Sequence, residues 1–145
     1  MSHVSLVTLG VRDLPRAEAF YLAMGWHRSS ASVEGTVTFL RGGALVLALF
    51  VRDDFAADAA LADDALAEPP GPIALACNLE TEEAVDDAFR RAEAAGARIV
   101  KAPTRADWGG YSGYLADPEG HLWEFAHNPG FGLRDDGAVV LPDES

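Results

Sequence analysis

Glu124 is the carboxylate with the clearest opening to chemistry. It stands between Trp123 and Phe125 in an apolar segment, His121–Ala126, that reads as the last strand. Alternation along a strand sends Trp123 and Phe125 to one face and Glu124 to the other. With the aromatic pair toward the core, Glu124 faces a partly desolvated hollow, where a carboxylate can anchor a ligand, pair with a cation or act as a general base. The competing reading is a structural carboxylate with a partner of its own. The run Ala106–Tyr114 carries Trp108, Tyr111 and Tyr114 together with Gly109, Gly110 and Gly113. Glycines allow sharp bends and close backbone approach, and aromatic faces stack on planar ligands or hold cations. Trp108 and Tyr111 are read as lining a ligand cavity, against the alternative that they cover a sheet edge or a dimer contact. Phe50, alternating with Ala48 and Val46, is expected to line the same hollow.

Other chemistries find little support. His121 and His127 are six residues apart, about 20 Å along an extended strand, so they cannot share one ion within a subunit. His27 opens the second strand and His3 lies near the start of the chain; both read as strand-end or surface histidines. Cys77 is the sole cysteine. Mid-strand between Ala76 and Asn78, it reads as a small core residue rather than a reactive thiol, and no intramolecular disulfide is available. Gly110-Tyr111-Ser112-Gly113 is not a Gly-x-Ser-x-Gly nucleophile elbow. Neither a Walker loop nor a Gly-x-Gly-x-x-Gly after a strand is present.

The elements that must position these residues repeat. A strand over His3–Val11 is followed by Asp13 as N-cap, Pro15 in the first helical turn, and Ala17, Phe20, Tyr21 and Met24 at helical spacing, ended by Gly25. Strands are expected near Trp26–Ser32, Thr36–Arg41 and Ala44–Val51, with Gly42-Gly43 as a hairpin turn. The second half starts with a strand at Ile73–Leu79. A helix from Thr81 to Gly96 follows, with Glu82 and Glu83 at its positive end and Val85, Ala88, Phe89 and Ala92 as its apolar stripe. Strands Arg98–Ala102, Tyr111–Ala116 and His121–Ala126 complete it, the last two joined by the turn Asp117-Pro118-Glu119-Gly120. The chain is thus βαβββ twice. We expect one domain over residues 1–127, with modules at about 1–52 and 72–127. An acidic connector at 53–71, holding a short helix at most, separates them. A polar tail at 128–145 has a candidate turn at Asp135-Asp136-Gly137.

The 145 residues, 49% hydrophobic and 23% charged, suit a folded domain rather than a disordered one. A net charge of −12 argues against nucleic acid and anionic membranes as partners. It is compatible with a neutral or cationic small molecule. The start, MSHVSLVTLGVRDL, does not read as a signal peptide, and the longest apolar run, Ala44–Val51, is too short to span a bilayer. A cytoplasmic protein is expected.

Asp13-Leu14, Arg16, Phe20-Tyr21 and Gly25-Trp26, then Ala95-Gly96-Ala97, then Asp117-Pro118-Glu119-Gly120-His121-Leu122-Trp123-Glu124 together resemble the vicinal oxygen chelate superfamily. That superfamily includes glyoxalase I, extradiol dioxygenases, fosfomycin-inactivating thiol transferases and bleomycin-binding resistance proteins. The resemblance spans residues 4 to 127. It implies an α+β fold of two βαβββ modules forming cupped mixed sheets, with two modules, in one chain or across a dimer, completing each site. In metal-dependent members, His, Glu or Gln side chains on the first and last strands hold a divalent ion. Carried over one at a time, those positions fall on Leu6, Ala48, Pro72 and Glu124. Three of the four lack a donor, and one carboxylate does not define a metal site. The resemblance then implies a homodimer without metal or other cofactor, binding a planar or cationic drug-like ligand at Glu124, Trp108, Tyr111, Phe50, Leu6 and Ala48, as drug-sequestering resistance proteins do. The alternative is a metal-dependent lyase, isomerase or dioxygenase; a third reading makes Glu124 a general base without metal. The residues do not decide whether a reaction is catalysed.

Overall fold

The computed structural model describes residues 3–62 and 73–142. The first module consists of β1 (Leu6–Val11), α1 (Leu14–Ala23), β2 (His27–Arg28), β3 (Val37–Arg41) and β4 (Val46–Val51). A short helix, α2 (Arg52–Asp58), follows. The second module is β5 (Leu75–Asn78), α3 (Glu82–Ala94), β6 (Arg98–Arg105), β7 (Tyr111–Ala116) and β8 (Leu122–His127). The tail forms β9 (Gly132–Leu133) and β10 (Val139–Val140). The two four-stranded sheets have the same order, β1-β4-β3-β2 and β5-β8-β7-β6. In each, the first strand runs parallel to the last, β1 with β4 and β5 with β8, and the remaining pairs are antiparallel.

Local chemistry sets the helix limits. Asp13 accepts a hydrogen bond from the Arg16 N–H at 3.0 Å to open α1, and Thr81 accepts one from Ala84 N–H at 3.0 Å to open α3. Both helices stop at glycines with positive φ, Gly25 at 99° and Gly96 at 109°. Alternation gives each sheet an apolar helix side. Val11, Leu40 and Leu49 from the first sheet join Tyr21 of α1, and Leu115 and Trp123 from the second join Val85 and Phe89 of α3, in one continuous core. The opposite, concave faces are turned away from that shared core.

Several limits differ from the sequence reading. β2 is only His27–Arg28, and β8 runs one residue later than expected. β6 continues through Pro103 to Arg105 instead of ending at Ala102. As an edge strand it tolerates a proline, and its register with β7 shifts between Ile99 and Lys101 and again between Lys101 and Thr104. The connector opens as α2, starting at Arg52; residues 63–72, with Pro72, lie outside the described residues. The tail is a hairpin whose turn falls at Asp135-Asp136-Gly137: Arg134 N–H donates to Ala138 O and Gly137 N–H to Arg134 O, both at 2.9 Å. Among the described residues no helix is long and apolar enough to cross a membrane.

Candidate functional site

Glu124 lies on the central strand β8, flanked in register by Ala76 of β5 and Tyr114 of β7. Lys101 of β6 lies beyond Tyr114 in the same row. Trp123 and Phe125 point to the core, so this row occupies the concave face. Glu124 and Tyr114 are half-buried, and Ala76 and Lys101 are exposed. The Glu124 charge, partial burial and a hydrogen bond to that carboxylate push the Tyr114 phenol above its usual range. A phenol and a carboxylate therefore share one proton donor between them on an open sheet face. Tyr114 was not singled out in the sequence. The signal was available, because pairing of β7 with β8 about the Asp117–Gly120 turn places residue 114 opposite 124.

The β7–β8 turn holds this row in place. Asp117, 4% exposed, accepts through Oδ1 from Glu119 N–H (2.9 Å) and His121 N–H (2.8 Å), and through Oδ2 from the Tyr21 hydroxyl (2.5 Å). Glu119 accepts from the N–H groups of Arg12 (2.8 Å) and Asp13 (3.1 Å) and pairs with Arg16 at 2.8 Å. The turn between the last two strands of one module is thus clamped onto the start of the first helix of the other.

Tyr111 is three residues from Tyr114, so the two fall on opposite faces, and Tyr111 stands on the helix side beside α3. Its hydroxyl donates to Asp86 at 2.6 Å, and that bond is the main cause holding its phenol above the usual range. Arg105 pairs with Glu82 nearby, at 2.5 Å. Trp108 is 65% exposed in the loop before β7, which Ala106 N–H closes by donating to Gly110 O at 2.7 Å. Its indole lies over Gly110, where a Cβ would come within 1.9 Å of the ring. The loop therefore presents an aromatic side chain to solvent.

Leu6, Ala48 and Phe50 share the concave face of the first sheet, where Leu6 pairs with Val46, Thr8 with Ala48 and Gly10 with Phe50. Leu6 is 40% exposed and Ala48 is buried. Phe50 stacks on Phe55 of α2, with centroids 5.6 Å apart and planes 11° from parallel. The connector helix thus covers part of this face with the chain's own aromatic ring. No strand pairing joins the two sheets, so Glu124 and the Leu6–Ala48–Phe50 row occupy separate faces.

These residues do not fit the divalent metal that the family resemblance implies. Leu6 and Ala48 offer no lone pair. Among the described residues no group of three or more His, Cys, Asp or Glu side chains is placed to hold an ion. His121 Nε2 is hydrogen-bonded to Gly10 O, and His127 Nδ1 to Leu79 O, each at 3.0 Å, so both rings tie backbone segments together. Burial pushes the Cys77 thiol up to about 11, leaving it neutral and poorly nucleophilic at neutral pH.

Solved structures share this architecture. A glyoxalase-related enzyme from Fulvimarina pelagi is 32% identical, with a TM-score of 0.87 over 97% of this chain and 99% of its own. A glyoxalase/bleomycin resistance protein/dioxygenase family enzyme from Burkholderia phytofirmans PsJN is 26% identical, with a TM-score of 0.78 over 87% of this chain and 98% of its own. Lactoylglutathione lyase from Agrobacterium tumefaciens is 26% identical, with a TM-score of 0.66 over 88% of this chain and 95% of its own. No curated protein matches the chain by sequence. The family model for the glyoxalase/bleomycin resistance protein/dioxygenase superfamily matches residues 2–125. With its paired βαβββ modules and that match over most of its length, the chain belongs to this superfamily.

Proposed function

We propose that this chain is a small-molecule-binding protein of the glyoxalase/bleomycin-resistance type that works without a metal, as a cytoplasmic homodimer, by holding a planar or cationic drug-like ligand. The observation that carries the reading is the pairing of donor-free side chains at Leu6 and Ala48 with the one carboxylate, Glu124, braced by Tyr114 on the opposite sheet. With a second copy completing the cup, a planar ligand could stack on Trp108 and Phe50, and a cationic one place its charge at Glu124. The two faces lie on separate sheets directed away from the common core, which favours a second copy completing each cup. We take residues 1–127 as one domain of two modules, with 128–145 as an appended tail. Protection by such a protein needs no bond to break; it follows from mass action when protein exceeds toxin. A net charge of −12 disfavours nucleic acid as the partner.

The competing reading, a metal-dependent lyase, isomerase or dioxygenase, draws its support from solved relatives that are enzymes. Thermal-shift measurements with planar cationic dyes, alongside metal analysis of protein purified without chelator, separate the two. A cationic dye at 100 times its Kd should add about 2.7 kcal/mol of stability, and Glu124→Gln should remove that shift. About one equivalent of a divalent metal per subunit with no dye binding would reverse the ranking.

A further inference from the structure

The seam between the modules holds a cavity of about 450 Å³ along the free edge of β5. β5 pairs only with β8, and every residue from Ala74 to Leu79 lines the space, with Trp26 and Trp123 beside them. Both faces of the strand therefore contribute, Leu75 and Cys77 from the core side and Ala76 from the concave side. Ala76 is the register partner of Glu124, so the two are neighbours about 5 Å apart across the sheet. From the first sheet the cavity is lined by Val46, the register partner of Leu6, and by the β3–β4 turn. It thus touches one row of each concave face and continues between the sheets. The tail hairpin supplies a further wall, Asp136–Val139, and presses on the turn so closely that a Cβ on Gly43 would lie 2.9 Å from the Asp136 carbonyl.

We propose that the Glu124 site extends past Ala76 into this cavity, so that its ligand is a cation carrying an apolar arm, with the tail hairpin limiting the arm. This rests on the binding role given to Glu124 above. Among the described residues that line the cavity there is no Lys, Arg or His, and Asp136 is the one charged side chain. The Asp136 carboxylate is tied to its own hairpin, accepting from Ala138 N–H at 3.0 Å. An anionic ligand would therefore lie between two carboxylates with no cation to meet it, whereas a cation finds Glu124 beside the entrance. Asn78, two residues along β5 from Ala76, shares its concave face, so its amide stands on the headgroup side of the space. Beyond it Val7, Leu47, Leu75 and the two indoles offer apolar wall, which rewards burial of an alkyl or aryl arm. The volume is within the range of small-ligand pockets. The tail hairpin follows β8 of the second module yet lies against the turn of the first, so it bounds the space that the arm can fill.

Two probes are titrated against the full chain by proton NMR. Tetramethylammonium presents the charge alone, and (4-phenylbutyl)trimethylammonium adds the arm. The arm should improve affinity about tenfold or more, and Glu124→Gln should weaken both probes. Ala138→Leu adds bulk from the hairpin wall without touching the backbone hydrogen bonds of that residue. It should cost the arm-bearing probe about tenfold and leave tetramethylammonium unchanged. Gly43→Ala, which drives the Asp136 carbonyl away from the turn, should act in the same direction. Circular dichroism verifies that at least one of these two variants is folded. Unchanged affinity for the arm-bearing probe in a folded variant overturns the extension and leaves Glu124 as a cation site. No saturable binding of either probe to the parent protein overturns the extension together with the cation role of Glu124.

Discussion

Tyr21 of α1 donates its phenolic hydrogen to Asp117 of the β7–β8 turn at 2.5 Å, with both residues buried. Burial first, then the Asp117 charge and the hydrogen bond to it, raise the Tyr21 phenol well above its ordinary value. The pair links the two modules across 96 residues of sequence.

A raised folded value means the unfolded chain releases the Tyr21 proton first as pH climbs. Stability from this group is full below about pH 10 and is lost as pH rises above it. Tyr21→Phe should cost about 1–3 kcal/mol at pH 7, because it strips Asp117 and the Trp123 N–H of a buried partner. Urea unfolding as a function of pH measures this. The gap between wild type and variant should narrow above about pH 10, and a constant gap would show that Tyr21 does not titrate with unfolding.

Glu119 gives the opposite limb. Burial works to raise its carboxyl, but hydrogen bonds from Arg12 and Asp13 N–H and from Arg16, with the Arg16 charge, outweigh it and hold the group below the usual range. Its contribution is present above the ordinary carboxylate range and disappears as pH falls through the lowered folded value. Glu119→Gln should destabilise by about 1–3 kcal/mol at pH 7, with the difference vanishing once pH has fallen below the lowered folded value. Acid unfolding curves of the two proteins, compared point by point, test this.

Tyr114 reports on Glu124. Replacing Glu124 by Gln removes the charge that is the largest cause of the raised phenol. Ultraviolet titration of tyrosinate should then show one phenol moving down toward pH 10. Tyr114→Phe should remove that same titrating group, and persistence of the shift in Glu124→Gln would break the pairing assigned here.

Gly113 is a packing constraint. A Cβ there would lie 2.6 Å from Lys101 O, 2.7 Å from Phe89 Cζ and 2.8 Å from Pro103 N. Two of these are backbone atoms in the irregular part of β6, which cannot yield as a side chain does. Gly113→Ala should therefore destabilise by about 1–3 kcal/mol, seen as a lower thermal midpoint, whereas Gly130→Ala, whose Cβ would meet only the Asn128 side chain at 3.2 Å, should change it far less.

The sequence by itself determined the repeated module. Asp13 and Thr81 as caps, Gly25 and Gly96 as stops, and the alternation around Trp123, Glu124 and Phe125 are local signals, carried by one turn of helix or a few residues of strand. It also placed Glu124 on the face opposite the aromatic core, since parity within one strand does not depend on distant contacts. The parity of Tyr111 and Tyr114 was equally local, but it was obscured by the glycine-rich loop, which left the start of β7 without a fixed inward face. What the tertiary structure decided is what crosses the chain: Asp117 and Glu119, read as a turn, anchor the first helix, and Tyr114 braces Glu124 through strand pairing. The acidic connector begins as a helix that lays Phe55 on Phe50. The seam beside Trp26 and Trp123 was likewise invisible, because a space between two modules depends on how their helix faces meet, and no residue's own propensity encodes that.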